Sequence, residues 1–311
     1  MFREPTDVAG GPAAAASVMS SPSRWFEMPS PFDEGNGERL LLLEPPSASM
    51  EELQARLLDG SYGRPFVVDD GQWRRLHFDN RLVQSAMRLA APNALDVRYT
   101  QKMMSFLLFQ PKPRRIVLIG LGGGSLVKFC HVRLPSTPLT VIENNPDVID
   151  LRDAFFLPPD GPNLQVLEAD GADYLADAEK GIDVLLLDAF DRRGYAPSLA
   201  GADFFVQAKA KLGGGGVLVA NLAGDPAGYA GVIGTVMEVF GDQTILVPVR
   251  EDDNQLLLAF KDPSFEPDWR RLRNQAKELR AKYDLDFPDF LQKIAGAAKM
   301  GLARREAERG R

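Results

Sequence analysis

A glycine-rich run, Ile119-Gly120-Leu121-Gly122-Gly123-Gly124-Ser125, follows an apolar stretch that reads as a strand and opens one that reads as a helix. Glycines let the backbone approach a ligand closely, and free N–H groups at a helix start favour electronegative atoms. The next apolar stretch ends at Glu143, about 20 residues on, where an acidic side chain can accept hydrogen bonds from both ribose hydroxyls. Loop and acid together predict a nucleoside site; the alternative for Glu143 is a strand-end carboxylate facing solvent. Asp170-Gly171 follows a third such stretch and Asp188 closes a fourth, both at the carboxyl ends where open α/β sheets bind ligands. Asp188 ends the run Val184-Leu185-Leu186-Leu187, an apolar setting that raises a carboxylate's pKa unless donors or a cation compensate. It reads as a base or a clamp for an amine. Asp191 lies three residues further, and a pair of acids at this spacing can hold an ammonium group; otherwise Asp191 caps or solvates its loop.

Composition narrows the chemistry. The chain has 36 basic and 43 acidic residues, a net charge of −7, the wrong sign for gripping phosphate backbones, so no nucleic-acid partner is expected. A cationic or neutral small substrate fits better. His77 and His131 are the two histidines, which argues against a histidine-rich metal site and leaves a Ser-His-Asp triad few bases; no metal is expected. Cys130, the one cysteine, has no partner for an internal disulfide. That fits a reducing compartment, and a cytoplasmic location is expected. Cys130 sits among Phe129, Val132 and Leu134 and reads as a small buried residue rather than a nucleophile. No apolar run approaches the roughly 20 residues needed to cross a bilayer, so no membrane partner is expected.

These residues need elements to hold them. Residues 1–38, with Gly11-Pro12, an alanine run and Ser-Pro clusters, read as a mostly disordered leader. Residues 39–98 read as a small β-rich lobe, with strands at 40–43 and 65–68 and a period-two run through Trp73, Leu76 and Phe78 beyond the turn Asp69-Asp70-Gly71. A helix is expected over 99–109, stopped by Pro111 and Pro113. Residues 99–262 then read as strands at 115–119, 139–143, 164–168, 182–188, 216–221, 243–249 and 254–260, with helices in the first five gaps. Near-continuous apolar strands separated by helices imply a parallel sheet covered on both faces. Only residues 250–253 join the last two strands, too few for a crossover helix, so they pair as an antiparallel hairpin or lie apart. Residues 263–311 form a helical extension; from 269 onward it has 12 basic and 6 acidic residues, and its apolar residues should pack on the sheet or on a second subunit. The fold class is therefore α/β: a Rossmann-like, seven-stranded, mostly parallel sheet with an antiparallel C-terminal hairpin, preceded by the small lobe. It resembles the class I AdoMet-dependent methyltransferase-like fold.

The combined motifs resemble a narrower family. Arg115-Ile-Val-Leu-Ile-Gly-Leu-Gly-Gly-Gly, Val141-Ile142-Glu143, Ala169-Asp170-Gly171, Asp183-Val-Leu-Leu-Leu-Asp188-Ala-Phe-Asp191, Phe204-Phe205 and Gly215-Gly216-Val217-Leu218 together look like the spermidine synthase family of polyamine aminopropyltransferases. The likeness spans roughly residues 60 to 260. It implies that Gly120, Gly122, Gly123, Gly124, Glu143, Asp170 and Gly171 bind the nucleoside cosubstrate, Glu143 at the ribose and Asp170 at the adenine amino group. It also implies that Asp188 orients and deprotonates the attacking amine, that Asp191 holds the acceptor, and that Tyr99 lines the cleft. The reaction implied moves an aminopropyl group from decarboxylated AdoMet to an amine such as putrescine, releasing methylthioadenosine without a metal. A homodimer is expected on the same ground.

The chain departs from that pattern in four places. Gly123 stands where the family has an aspartate that grips the donor's terminal amine and opposes a donor carboxylate. Thr100 replaces a glutamine, Arg192-Arg193 replaces a proline, and no acidic and glutamine pair follows Asn221. Gly123, Thr100 and the arginine pair favour a second reading, a methyltransferase that uses AdoMet itself. A third is a noncatalytic nucleoside-binding protein, against which Asp188 beside Asp191 weighs.

Overall fold

The computed structural model describes residues 25–309 apart from 34, 81, 192–193, 225 and 250–253; the side chains of 190–195, 226–228 and 302 onward are also outside the description. An N-terminal antiparallel sheet comprises β1 (Phe26–Pro29), β2 (Arg39–Leu42), β3 (Phe66–Asp69), β4 (Trp73–His77) and β5 (Val83–Arg88), in that spatial order, with α1 (Met50–Leu58) between β2 and β3. Strand β1 lies in the last part of the expected leader, which is ordered rather than disordered there; residues 1–24 of that leader lie outside the described residues. Its residues pair antiparallel with β2, Phe26 opposite Leu42 and Met28 opposite Leu40, so Met28 gains a buried place among Leu40, Leu42, Leu53, Leu57 and Phe66. Tertiary pairing overrides a proline- and serine-rich context.

Helix α2 (Arg98–Met103) passes into a 3₁₀ turn, Met104–Leu108, rather than running unbroken to 109. The second unit then alternates β6 (Ile116–Ile119), α3 (Ser125–Arg133), β7 (Leu139–Glu143), α4 (Pro146–Asp150), β8 (Leu164–Glu168), α5 (Gly171–Asp177) and β9 (Ile182–Leu187). A two-stranded ribbon, β10 (Phe190–Asp191) and β11 (Gly194–Tyr195), precedes α6 (Ala202–Lys211), β12 (Leu212–Leu222), α7 (Pro226–Phe240), β13 (Thr244–Val249), β14 (Asn254–Phe260), α8 (Trp269–Tyr283) and α9 (Phe287–Arg309). The seven-stranded sheet has the order β13-β14-β12-β9-β6-β7-β8. Strands β12, β9, β6, β7 and β8 are parallel, and β14 runs antiparallel to both β12 and β13. The expected sheet and closing hairpin are both present.

Alternate side chains of each central strand serve opposite faces. Ile116, Leu118, Val184 and Leu186 join a core with α3, α8, α9 and the inner face of the N-terminal sheet, including Val67, Leu76 and Met87. Val117, Ile119, Leu185 and Leu187 join a second core with α5, α6 and α7. The C-terminal helices thus pack on the sheet, through Leu272, Leu279, Tyr283, Phe287, Leu291 and Ile294. Successive strands run outward from β6 to β8, and the chain then returns to place β9 on the other side of β6. That reversal opens a crevice at the carboxyl ends of β6 and β9, where such sheets bind ligands.

Candidate active site

A cleft of about 210 Å3 occupies the crevice. Its wall includes Gly120, Gly122, Glu143, Asp170, Gly171, Asp188 and Tyr99, so seven sequence-designated residues meet in one space. Gly120 has φ +99°, and a Cβ there would stand 2.1 Å from the Asp188 carbonyl oxygen. Only glycine allows the β6 loop to lie against the end of β9. Gly171 is equally confined, since a Cβ would meet the Ile119 side chain at 2.6 Å. Gly123 and Gly124 lie outside the cleft wall, where ligand contact was expected. A Cβ on Gly123 would come within 2.7 Å of Ser85 Oγ and 3.1 Å of the Phe155 ring, and one on Gly124, with φ +68°, within 2.5 Å of Leu157. Their role in this geometry is to let the loop pack and turn into α3.

The carboxylates differ in their surroundings. Glu143 Oε2 accepts from Leu121 N–H at 2.9 Å and Oε1 from Asn145 N–H at 2.8 Å. Burial nevertheless pushes its pKa above the ordinary glutamate value, the backbone donors opposing the rise. Each oxygen retains a lone pair for a ribose hydroxyl. Asn145 caps α4, whose first residue is Pro146, so the turn after Glu143 is fixed by local chemistry. Asp170 caps α5 through Oδ1, which accepts from Ala172 N–H at 2.7 Å, while Oδ2 accepts from Ser198 Oγ–H at 2.9 Å.

Asp188 is half-buried, one edge open to the cleft. Tyr99 Oη donates to its Oδ2 at 3.2 Å and Asn221 Nδ2 to its Oδ1 at 2.9 Å. Enclosure raises its pKa above the usual aspartate value; the bonds from Asn221 and Tyr99 pull the other way. Such a carboxylate is oriented for proton transfer and more basic than one in water. The side chains of Asp191 and Tyr195, and all of Arg192-Arg193, lie outside the described residues. Thr100 is buried, its Oγ1–H donating to Val97 O at 2.6 Å. Cys130 is a buried free thiol, and His131 is exposed.

Sequence reasoning missed Ser198, and it missed the bonds of Asn221 and Asn254, whose Nδ2 donates to Asn221 Oδ1 at 3.0 Å. Asn221 carried a signal, an amide near the end of an otherwise apolar strand; Asn254 carried none, because only sheet order brings it near. Among the described residues no cluster of three His, Cys, Asp or Glu is placed to hold a metal, and no helix is long and apolar enough to cross a membrane.

The family model for the spermine/spermidine synthase domain matches residues 96–227. A polyamine aminopropyltransferase of Chromobacterium violaceum is 34% identical over 229 residues, 73% of this chain and 88% of that one. One from Neisseria meningitidis serogroup B is 33% identical over 227 residues, 72% and 86% of the two chains. Among solved structures, a probable spermidine synthase from Corynebacterium glutamicum superposes with a TM-score of 0.57 at 20% identity, over 70% of this chain and 85% of that one. Human methyltransferase-like protein 13 in complex with SAH gives 0.54 at 22% identity, over 60% and 91%. Both structures share the fold.

Proposed function

The chain belongs to the polyamine aminopropyltransferase family of transferases, and on that premise we propose that it moves an aminopropyl group from decarboxylated AdoMet to a small amine such as putrescine. The observation that carries the reading is Asp188, held by Tyr99 and Asn221 in a cleft whose wall also presents Glu143 and Asp170. The Glu143 carboxylate and the close glycine backbone fit a nucleoside: two acceptors at the ribose and a wall without side chains where the ligand would lie. Asp170 and Ser198 would face the adenine end. The amine nitrogen forms a bond to the donor's methylene carbon as the carbon–sulfur bond breaks, the electron pair leaving on sulfur. The proton shed by nitrogen passes to Asp188. Because the sulfonium departs as a neutral thioether, no anion has to be stabilised, and positioning plus a base suffices. We place the protein in the cytoplasm on the ground of its lone cysteine, and as a homodimer on the strength of the family alone.

A second reading, use of AdoMet itself, is favoured by Gly123. The packing of Ser85 and Phe155 against it leaves no room for a side chain that would repel a donor carboxylate. Calorimetric titration with decarboxylated AdoMet and with AdoMet, under one buffer and salt, tests the proposal. Tighter binding of the decarboxylated donor is expected, with aminopropyl product formed from putrescine; tighter binding of AdoMet with no such product overturns it.

A further inference from the structure

We propose that Asn254 is a positioning residue for the base, holding the Asn221 amide in the one orientation that donates to Asp188. The inference rests on reading Asp188 as the base. Three neighbouring strands supply the chain of groups: Asp188 follows β9, Asn221 lies near the end of β12, and Asn254 opens β14. Asn221 is 2% exposed and Asn254 7%, so water does not compete for either amide. The polarity of the chain is forced. An ionised carboxylate only accepts, so Asn221 must turn its NH₂ to Asp188 Oδ1, at 2.9 Å, which aims its Oδ1 away toward β14. Asn254 meets that oxygen with its own NH₂ at 3.0 Å. A buried amide with a donor fixed at its oxygen cannot reverse without leaving two polar groups unpaired.

Without Asn254 the Asn221 amide loses that restraint, and a flipped amide would aim oxygen at the carboxylate and disfavour its charged form. Among the described residues, the other groups that share the cleft wall with Asp188 include a neutral hydroxyl and two carboxylates. Tyr99 of α2 donates a neutral hydroxyl, and Glu143 and Asp170 stand elsewhere on the cleft wall at the ends of β7 and β8. The sign follows: removing a donor to the ionised form raises the pKa, so the acid limb of activity moves to higher pH.

The test compares Asn254→Ala, Asn221→Ala and the double variant, with unfolding transitions verifying that each folds. Asn254→Ala should shift the acid limb of kcat/KM upward by about one pH unit and leave KM for the donor within about twofold. Asn221→Ala should shift it further, and the double variant no further than Asn221→Ala, because Asn254 acts only through Asn221. Should the alanine variant fail to fold, Asn254→Leu, of similar bulk and without a donor, should show the same shift. Asn254→Ser, retaining a hydroxyl donor, should recover part of it. The carbon-13 carboxyl titration of Asp188, assigned by its loss in Asp188→Asn, reads the same shift without turnover. A wild type inert toward amines but with an Asp188 titration that moves in Asn254→Ala would sink the aminopropyl-transfer reading and keep this one. An unchanged Asp188 titration in the Asn254 variants, or additive effects of the two alanines, overturns the positioning role.

Discussion

Asp188, the proposed base, shows how an enclosed carboxylate weighs on its own fold. Enclosure raises its folded pKa above the ordinary aspartate value of 3.8, so between the two values the native state keeps a proton that the unfolded chain releases. By linkage that contribution to stability is fully present below about pH 3.8 and is lost as pH rises through the folded value. Asp188→Asn has no proton to lose and can still pair, its amide oxygen toward Asn221 and its NH₂ toward the Tyr99 hydroxyl. Turnover should fall by on the order of 100-fold or more, as expected when a general base is removed. The melting temperature of the variant relative to wild type should rise as pH climbs above about 4. Scanning calorimetry across that range checks it; a variant that grows relatively less stable toward neutral pH would show that the carboxylate supports the fold.

At the scale of elements, helix α3 carries a cost of its own. Lys128 on this helix is 1% exposed; its ammonium donates to Phe155 O at 2.8 Å and lies 2.9 Å from Met87 Sδ, with no carboxylate among these partners. Burial lowers its pKa to about 8 from 10.5. The unfolded chain therefore binds more protons between those values, and native stability should climb as pH rises through them, by on the order of 3 kcal/mol. Lys128→Met should abolish that climb in denaturant titrations at about pH 8 and 10; a variant that keeps it would assign the slope to another group. Elements also show what the sequence could disclose. The strands from β6 to β9 and the carboxylates at their ends were legible because period, length and end residues agreed. Among the elements not foreseen are β1, the helix α1 behind Ser49, the ribbon of β10 and β11, and β5, whose run Val83-Gln-Ser-Ala-Met-Arg88 has little alternation. β1 and β5 pair with the neighbouring strands β2 and β4, and their own residues give little sign of it. The Asn221–Asn254 bond was illegible for another reason, since two amides 33 positions apart meet only once β14 lies beside β12.

For the whole molecule, the basic extension is structural. Leu272, Leu279, Tyr283, Phe287, Phe290, Leu291 and Ile294 are buried in the core that also holds Leu118, Val184 and Met103. Each such side chain contributes roughly 1.5–3 kcal/mol of burial, so their joint loss is at least as large as the usual net stability of many domains. A chain ending at residue 262 should be insoluble or lack a cooperative unfolding transition; recovery of a soluble, cooperatively melting fragment would contradict this account. The N-terminal sheet is tied across the cleft by Arg64, which bonds Asp147 Oδ1 at 2.6 Å and Oδ2 at 3.0 Å, two residues from the Asn145 that anchors Glu143. The position of β14 has a temporal consequence as well. A chain leaving the ribosome amino end first presents the glycine loop, Glu143, Asp170 and Asp188 well before β14, yet β14 fills the gap between β12 and β13. Until it emerges, β13 has no sheet neighbour, and the amide pair beside Asp188 is incomplete. A nascent chain thus carries the carboxylates of the cleft early, while the sheet order and the core that set them in place wait for β14 and for the two helices made after it.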